Sequence, residues 1–501
     1  MGSYMANIVI VGAGVAGLSA GIYAQMQGHQ ATIYDKHFVA GGNLTAWERH
    51  GYHIDNCIHW LTGTNPVTKL YKMWRELGVL GGDIEVMQAD SLYTYEEKGK
   101  KLALSQSLER LRNDMLSISP QDKAEILYLV RVVKAYTRFS GMAGKNDDKK
   151  CGLLHQGLAS AALVPYGGLS IGQLAKRFKS PLIRDFLKSF LPEHFGSMAL
   201  IMVISTFTSK NGGIPRGSSS GMTQRMVDRF KALGGQLCLK LGVDKINTKG
   251  GVAESVTLDN GEVKPADYVV VTADPAMVFG KLLDKALMPA YLRRHYKRSD
   301  MPRFSSHHCA FACEGSDLPF EGEITMLIPE QYRELLCGKY LMLREFSHES
   351  SFAPKGKNIL QTMIYCSEQD AQAFIDCKRD PARYKRRKEE IAAAVEACIV
   401  GEKPELAGRL SCLDVWTPAT YRRFVHSEMG SFMSFVLPAG YVPFRKSGKI
   451  KGLSNVVMAT QWQQPPGGLP IAAETGKYAI KRICRKAGKR WDKSLNQAGL
   501  S

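Results

Sequence analysis

The sequence predicts an α/β fold in which helices cover a parallel sheet and a second, α+β domain is inserted. Two observations predict the sheet. The β-branched run at residues 8–11 is followed at once by glycines and then by apolar residues at helical spacing, and similar apolar runs recur at 31–34, 267–274 and 456–460. The chain has 501 residues, of which 45% are hydrophobic, and this is enough for two or more domains.

The first strand, turn and helix carry the pattern G-x-G-x-x-G at Gly12, Gly14 and Gly17. The first glycine permits a tight turn, the second lets the backbone approach a pyrophosphate, and the third lets the helix pack close to the strand. Val15 and Ala16 begin the helix, whose free N–H groups and dipole would face the phosphates. On its own the pattern fits either a dinucleotide site or a glycine-rich turn without a ligand, and the acidic residue that ends the next apolar run favours the dinucleotide site.

The next apolar run ends at Asp35, about 20 residues after the glycines, where a carboxylate can accept hydrogen bonds from an adenosine ribose. Lys36 follows and is assigned to the same site. Because an acidic residue here disfavours a ribose 2′-phosphate, NADP is not the expected cofactor.

The choice between NAD and FAD depends on the segment that begins with Gly41, Gly42 and Asn43 and continues through an aromatic and aspartate pattern to His59 and Trp60. This segment resembles the FAD-binding segment of the phytoene desaturase, carotenoid isomerase and retinol saturase group within the amine oxidase superfamily. The resemblance implies that the glycine pair brings a second loop onto the pyrophosphate and that Asn43 supplies a neutral donor. Many relatives carry Arg or Lys there, so a charge contact is absent in this chain.

Residues 462–475 are similar to the closing flavin motif of the same group. Gly467 and Gly468 would open a helix that begins near Pro470, and Leu469 is assigned to the same cofactor site. The N-terminus of this helix would face the N1 and C2 carbonyl edge of the flavin, where negative charge grows on reduction. The alternative is a proline-rich turn before a C-terminal helix.

A third block lies between these two. Serines 218–220 are expected to cap a helix, and residues 237–246 are expected to form one strand. The resemblance places Val243 against the adenine and Ala273 at the end of a strand near the nucleotide. A hairpin is predicted around residues 259–261, D-N-G.

The resemblance covers most of the chain and implies a discontinuous Rossmann-like FAD/NAD(P)-binding domain with an inserted substrate-binding domain. The FAD-binding parts are predicted at residues 5–65, 210–290 and 430–490. The substrate-binding parts are predicted at 66–209, which is helical, and at 291–429.

Cysteine usage and the N-terminus indicate the compartment. Eleven cysteines contain no C-x-x-C pair, so we expect no metal site, no disulfide framework and a reducing cytoplasm. Cys309 and Cys313 are expected to be buried in a strand.

No basic segment precedes the first apolar run, so a signal peptide is not expected, and residues 1–4 are interpreted as a leader or cloning scar. The apolar stretch at 198–207 is expected to be a core helix.

The net charge of +19 is concentrated at residues 293–303, 378–388 and 477–493. The last cluster can form an amphipathic helix resting on an anionic leaflet, where each basic residue contributes about 1 kcal/mol. The alternative is a solvated basic face. The predicted location is the cytoplasm, with or without peripheral contact with the inner membrane surface. Nucleic acid is not expected as a partner, because no recognised binding module accompanies the charge.

The chain has one dinucleotide fingerprint, so electrons are expected to pass through the substrate, oxygen, a quinone or a transient reductant, with the donor or acceptor unidentified. Residues 153–169 and 186–207 are rich in apolar side chains. They are interpreted either as the lining of a tunnel for a hydrophobic substrate or as plain core packing.

Candidate catalytic residues follow from the flavin-facing segments. His59 is the first candidate for handling a proton, against the alternative of a structural histidine. Cys57 stands where relatives commonly have glycine, and it is interpreted either as a residue that adjusts access to the flavin N5 or as a buried thiol without a role. Glu474 is the acidic candidate in the closing helix, against the alternative of a carboxylate that only stabilises the start of the helix. Tyr421 and the two arginines after it match a region before the flavin cap, where Arg422 or Arg423 would orient a lipid carboxylate or serve only as scaffold.

Three functions remain. The preferred one is an FAD-dependent oxidoreductase that desaturates, saturates or isomerises a carbon–carbon double bond of a hydrophobic polyene or lipid. A flavin amine oxidase would need an aromatic cage and a lysine near the flavin, and no such lysine is identified. Rab escort and GDP-dissociation proteins resemble this fold without binding flavin, but the intact glycines argue against that function.

Overall fold

Two large sheets of different kinds organise the protein, as seen in a computed structural model that describes residues 5–140, 163–492 and 494–495. One sheet has five parallel strands, and the other has seven strands that are mostly antiparallel. The predictions made for residues 1–4 and 153–162 lie outside the described residues.

The strands, in chain order, are β1 (Asn7–Val11), β2 (Gln30–Asp35), β3 (Ala46–Arg49), β4 (Tyr52–Asp55), β5 (Leu61–Thr62), β6 (Val86–Met87), β7 (Ser91–Glu97), β8 (Lys100–Ser105), β9 (Gly212–Pro215), β10 (Gln236–Leu239), β11 (Val243–Lys249), β12 (Val252–Leu258), β13 (Val263–Pro265), β14 (Tyr268–Val271), β15 (Ser305–Glu314), β16 (Glu323–Leu327), β17 (Tyr340–Glu345), β18 (Lys357–Cys366), β19 (Leu410–Trp416) and β20 (Val456–Met458).

The helices are α1 (Val15–Met26), α2 (Lys69–Glu76), α3 (Leu108–Ile118), α4 (Lys123–Phe139), α5 (Ile171–Ala175), α6 (Pro181–Ser189), α7 (Ser197–Thr208), α8 (Ser218–Ala232), α9 (Pro275–Met277), α10 (Ala290–His295), α11 (Glu330–Leu336), α12 (Glu368–Cys377), α13 (Pro381–Glu402), α14 (Pro418–Val425) and α15 (Leu469–Lys486).

The parallel sheet has the strand order β10-β2-β1-β14-β20. Its central strand β1 is apolar on both faces because both faces are covered. Ile8 and Ile10 pack into the core formed with α1, α8 and α15, while Val9 and Val11 pack into a second core with β11, β12 and β14. The strands come from both ends and the middle of the chain, as expected for a discontinuous Rossmann-like domain, although the exact domain boundaries stay a prediction.

Helices α1 and α15 lie directly against each other on one face of this sheet. A Cβ on Gly476 of α15 would stand 2.5 Å from the carbonyl oxygen of Ala16 in α1, so this crossing requires glycine. A Cβ on Gly17 would stand 1.9 Å from the carbonyl oxygen of Gly12. The third glycine of the fingerprint therefore permits close packing between helix and turn, as the sequence predicts.

Two local predictions in the middle block are wrong. The serines do not cap α8; Gly217, at φ +79°, precedes the helix, and Ser218 is its first residue. The N-terminus is held instead by Asp55, whose carboxylate accepts hydrogen bonds from the Ser219 N–H at 2.8 Å and the Ser219 hydroxyl at 2.6 Å. Residues 237–246 are not one strand, because the chain leaves the parallel sheet after β10 and re-enters as β11 in a separate antiparallel sheet. The hairpin between β12 and β13 forms as predicted.

The seven-stranded sheet has the order β19-β15-β18-β17-β16-β7-β8, with β7 and β16 parallel and the other neighbours antiparallel. Cys309 and Cys313 are buried on β15, as predicted. The apolar stretch at 198–207 forms α7, which is buried in a core with α3, α4 and α6. The structure describes residues 163–169 and 186–207 of the predicted tunnel segments. Their buried apolar side chains, such as Phe186 and Phe207, belong to that core.

Candidate functional site

The two glycine loops predicted to cradle a pyrophosphate lie side by side. Gly14 and Gly41 form an isolated parallel bridge, and the Gly41 N–H donates to the carbonyl oxygen of Ala13 at 2.9 Å. A Cβ on Gly14 would meet no protein atom closer than 3.9 Å. The protein itself has room for a side chain at Gly14, so the glycine leaves open space beside the second loop.

The ribose and adenine candidates surround the same space. The Asp35 carboxylate accepts hydrogen bonds from the backbone N–H groups of Ala13 at 2.6 Å and His37 at 2.8 Å. It therefore connects the end of β2 to the glycine turn. Lys36 forms an ion pair with Asp244 at 2.9 Å on the surface.

A cavity of about 790 Å³ begins at these residues. Gly12, Gly14 and Gly42 line it at the loops, and Asn56 and Tyr421 line a further part. The remaining predicted cofactor residues on its wall are Asp35, Lys36, Val243 and Ala273. The structure thus brings candidates from the first and the middle predicted FAD-binding segments, together with Tyr421, around one cavity.

A buried polar network adjoins this cavity. The Asn56 side-chain amide donates to the Asn43 carbonyl oxygen at 2.9 Å, and the Tyr421 hydroxyl donates to Asn56 Oδ1 at 2.9 Å and lies 3.1 Å from His308 Nε2. Asn43 donates to the carbonyl oxygen of Phe432, while its own Oδ1 is buried without a hydrogen-bond partner. An unsatisfied buried acceptor is costly, so Asn43 Oδ1 is a candidate contact for a bound group.

His59 contacts a carboxylate that the sequence did not indicate. Its Nδ1 lies 2.5 Å from Oε2 of Glu323, which stands at the start of β16 and is 264 residues away in the chain. Glu323 is only 4% exposed, and its Oε1 is buried without a partner. The buried Arg344 donates from Nη1 to the Ile58 carbonyl oxygen at 2.5 Å, and its Nε is also unpaired.

These groups surround a second cavity of about 20 Å³, whose walls include Cys57, His59, Glu323 and Arg344. A polar cavity that exceeds about 10–15 Å³ can hold one water molecule. Asn56 lines both cavities. The His59–Glu323 pair is therefore separated from the 790 Å³ cavity by one layer of residues. The arrangement can hold a proton on an imidazole with a fixed orientation.

Burial sets the protonation of two neighbours. It raises the pKa of the Cys57 thiol to about 12, with the Asp55 carboxylate adding to the effect and Arg344 opposing it. Cys57 is therefore an uncharged thiol at neutral pH. Burial, with the nearby His307 and His59, holds the pKa of His308 well below its ordinary value, so His308 is neutral.

Except for Arg423, the remaining predicted site residues lie outside both cavity walls. Glu474 forms an ion pair with Arg445 at 3.1 Å, and the structure does not bring it to His59. Trp60 donates from Nε1 to the Thr62 hydroxyl at 3.2 Å. Gly467, Gly468, Leu469 and Pro470 form the uncapped N-terminus of α15, as the sequence predicts. Arg422 and Arg423 are exposed, and Arg423 lines the larger cavity.

Glu323, Arg344 and His308 were missed by sequence reasoning. They stand in strands of the seven-stranded sheet and carry no local motif, so only the pairing of distant strands reveals them. Over residues 5–140 and 163–492 there is no cluster of three or more side chains suited to a metal ion. Within the same ranges, no helix has the length and apolar character needed to cross a bilayer.

Comparisons with known proteins agree with this architecture. Residues 10–77 match the family model described as an NAD(P)-binding Rossmann-like domain. The chain is 22% identical to the chloroplastic prolycopene isomerase of Arabidopsis thaliana, covering 86% of this chain and 74% of that protein. It is also 22% identical to the lycopene-forming phytoene desaturase of a Paracoccus species, covering 94% of this chain and 95% of that one.

The chain resembles the phytoene desaturase and carotenoid isomerase group along most of its length. The resemblance predicted from the glycine motifs is confirmed. Among solved structures, an oxidoreductase from Methanosarcina mazei is similar with a TM-score of 0.66 at 15% identity, covering 95% of this chain and 99% of that one. This likeness concerns the fold, which is the predicted Rossmann-like domain with further sheets.

Proposed function

We propose that the protein is an FAD-dependent oxidoreductase that desaturates, saturates or isomerises a carbon–carbon double bond of a hydrophobic polyene or lipid. The observation that carries the proposal is the 790 Å³ cavity that runs from Gly12, Gly14 and Gly42 to Asn56, next to the His59–Glu323 pair. The named activities of the relatives support the substrate class.

The residues present fit an FAD group. The space beside Gly14 is one that a Cβ would fill, and Asn43 offers a buried acceptor without a partner. We assign the pyrophosphate to the two glycine loops and the start of α1, the ribose to Asp35 and Lys36, and the adenine to Val243 and Ala273. The flavin would lie towards Asn43, His59, Trp60 and the N-terminus of α15.

FAD, when bound, supplies hydride transfer to or from a substrate carbon. His59 holds or moves the proton of the adjacent carbon at Nε2, because its Nδ1 faces Glu323. Glu323 orients the imidazole as a positioning residue through its contact with Nδ1. Arg344 lies close enough to Glu323 and Asp55 for their charges to act on it, and it balances their negative charge.

The proposed partner is a membrane-soluble substrate. A peripheral contact with an anionic membrane would give the protein access to it, and the electron donor or acceptor passes through the same flavin site. A flavin amine oxidase would need a lysine near the flavin, and among the described residues the wall of the cavity that His59 lines contains no lysine.

The proposal is tested by incubating the oxidised and the dithionite-reduced holoprotein with a polyene extract under anaerobic conditions. A mass change of two hydrogens identifies desaturation or saturation, whereas an unchanged mass with altered retention identifies isomerisation. Boiled protein is the control. Oxidation of amines, with no change in any polyene under either condition, would overturn the proposal.

A further inference from the structure

The loop at residues 441–451 exposes apolar side chains to solvent. Val442 is 63% exposed and Phe444 is 68% exposed, and both lie in a segment without regular secondary structure. Single exposed apolar residues are ordinary, but two such residues at the tip of one loop form a local apolar protrusion.

The start of the loop is attached to a neighbouring chain segment. The Gly440 N–H donates to the carbonyl oxygen of Gly167 at 2.9 Å, and this bond joins the start of the loop to helical residues 163–167. That segment also carries an exposed apolar residue, because Val164 is 71% exposed.

The loop is also strongly basic. Residues 441–451 contain Arg445, Lys446, Lys449 and Lys451 and no acidic residue. Lys449 and Lys451 are exposed, whereas Arg445 packs 3.5 Å from the centre of the Tyr478 ring and pairs with Glu474. Apolar tips flanked by lysines complement an anionic lipid surface, where the tips enter the acyl boundary and the lysines meet the headgroups.

Backbone hydrogen bonds also hold the second half of the loop. The Lys446 N–H donates to the Gln463 carbonyl oxygen at 3.0 Å, and the Met458 N–H donates to the Gly448 carbonyl oxygen at 2.8 Å. These bonds fix the loop to the residues around β20. The loop is therefore already ordered, with Val442 and Phe444 exposed, and it loses less conformational entropy on contact than a disordered loop would.

The basic C-terminal helix is less suited to the same role. Its apolar residues Ile480 and Ile483 are buried in the core against α1, and Lys477 pairs with the buried Glu76 at 2.6 Å. The apolar face that would have to enter a bilayer is thus already covered by protein.

We propose that the 441–451 loop is the membrane-docking element of this protein and that it inserts Val442 and Phe444 into an anionic phospholipid bilayer. Lys449 and Lys451 contact the phosphate groups. This inference rests on the proposed function, since it names the surface through which the protein would reach a substrate in the lipid phase. Vesicle binding can be tested separately, because it needs neither substrate nor turnover.

The test is co-sedimentation of the full-length holoprotein with vesicles of phosphatidylcholine containing 30% phosphatidylglycerol, compared with pure phosphatidylcholine. The double variant V442E/F444E is expected to lose more than tenfold in partitioning. K449Q/K451Q is expected to lose about 30-fold at low salt, since each basic residue near the surface contributes roughly a fivefold factor. Val263→Glu is the matched control, because Val263 is 59% exposed on the β12–β13 hairpin; its binding should equal that of the unaltered protein.

A second measurement reports insertion directly. Tryptophan fluorescence of Phe444→Trp should be quenched by brominated anionic lipids more strongly than that of the unaltered protein. Equal partitioning of V442E/F444E and the unaltered protein, or equal binding to both lipid compositions, overturns the inference. Flavin content is measured on the same samples, so that loss of flavin with intact vesicle binding contradicts the proposed function alone.

Discussion

At the scale of single residues, the contact between His59 and Glu323 defines where a proton can be held. Glu323 is buried, and one of its oxygens faces Nδ1 of the imidazole at 2.5 Å. This leaves Nε2 as the ring atom available to a substrate. The orientation of a histidine by a carboxylate is a common way to prepare a general acid or base.

The replacement His59→Gln should lower kcat by about 100-fold with little change in KM, because general acid–base catalysis contributes on that order. Glu323→Gln keeps the size and an acceptor, so it should lower kcat less. Steady-state kinetics on the polyene substrate, with flavin absorbance as a check of cofactor content, provide the measurement. His50→Asn, on an exposed turn, is the control and should leave kcat unchanged. A full rate in His59→Gln would exclude the proton-handling role.

Cys57 is among the candidate catalytic residues, and the environment of its thiol argues for a passive role. Burial raises the pKa of its thiol to about 12, so the thiolate is scarce at neutral pH. We therefore expect Cys57→Ala to retain the kcat of the unaltered protein and the Cys57 thiol to react slowly with iodoacetamide at pH 7.5. Loss of turnover with flavin still bound would instead give this thiol a direct role.

His29 links stability to pH. Burial, together with the charge of Lys489, lowers its pKa from 6.5 to about 4. The Ala6 N–H donates to Nδ1, and Nε2 lies 3.4 Å from the Cys484 sulfur. Between pH 6.5 and 4, His29 binds a proton in the unfolded state but not in the folded state. The contribution of neutral His29 to the free energy of unfolding is therefore fully present above pH 6.5 and declines as the pH falls towards 4.

The decline should approach 3 kcal/mol between these pH values, since one pKa unit corresponds to about 1.4 kcal/mol. Urea unfolding of His29→Asn should show a dependence on pH that is shallower by about 1.4 kcal/mol per pH unit near pH 5. Parallel curves for the variant and the unaltered protein would show that His29 is not the titrating group.

At the scale of elements, the strand, turn and helix at residues 7–26 could be predicted in detail, because the requirements are local. A β-branched run, three glycines and a helical apolar pattern each act within a few residues. The start of α8 could not be predicted in the same way. Asp55, far away in the chain, holds that helix end, and this contact depends on how β4 meets α8.

The packing of α1 against its own turn provides a stability test. A Cβ on Gly17 would stand 1.9 Å from the Gly12 carbonyl oxygen, so Gly17→Ala should lower the free energy of unfolding by about 3 kcal/mol or more. Gly401→Ala is the matched control, because a Cβ there meets nothing within 4 Å and the site is helical. It should leave stability unchanged or raise it by up to about 1 kcal/mol. Equal stabilities of the two variants, measured by urea unfolding, would contradict the packing argument.

At the scale of the whole molecule, the functional site is assembled from distant segments. The glycine loops come from the first 42 residues, Val243 and Ala273 come from the middle, and Tyr421 comes from α14. The glycine loops could be predicted from the sequence because backbone that approaches a phosphate requires a fixed local pattern. The position of Glu323 beside His59 could not be predicted, because it depends on the pairing of β16 with β17 and β7.

The central claim is that this cavity holds FAD, and its most direct test is the visible absorption spectrum of the purified protein beside that of Gly14→Ala. A Cβ at residue 14 meets no protein atom within 3.9 Å, so the variant should remain folded, with a loss of stability within about 1 kcal/mol for a helix N-terminus. We expect the unaltered protein to show a flavin band whose strength corresponds to one FAD per chain, and we expect the variant to lose this band. A flavin band of equal strength in both proteins, or no band in the unaltered protein after addition of FAD, would contradict this claim.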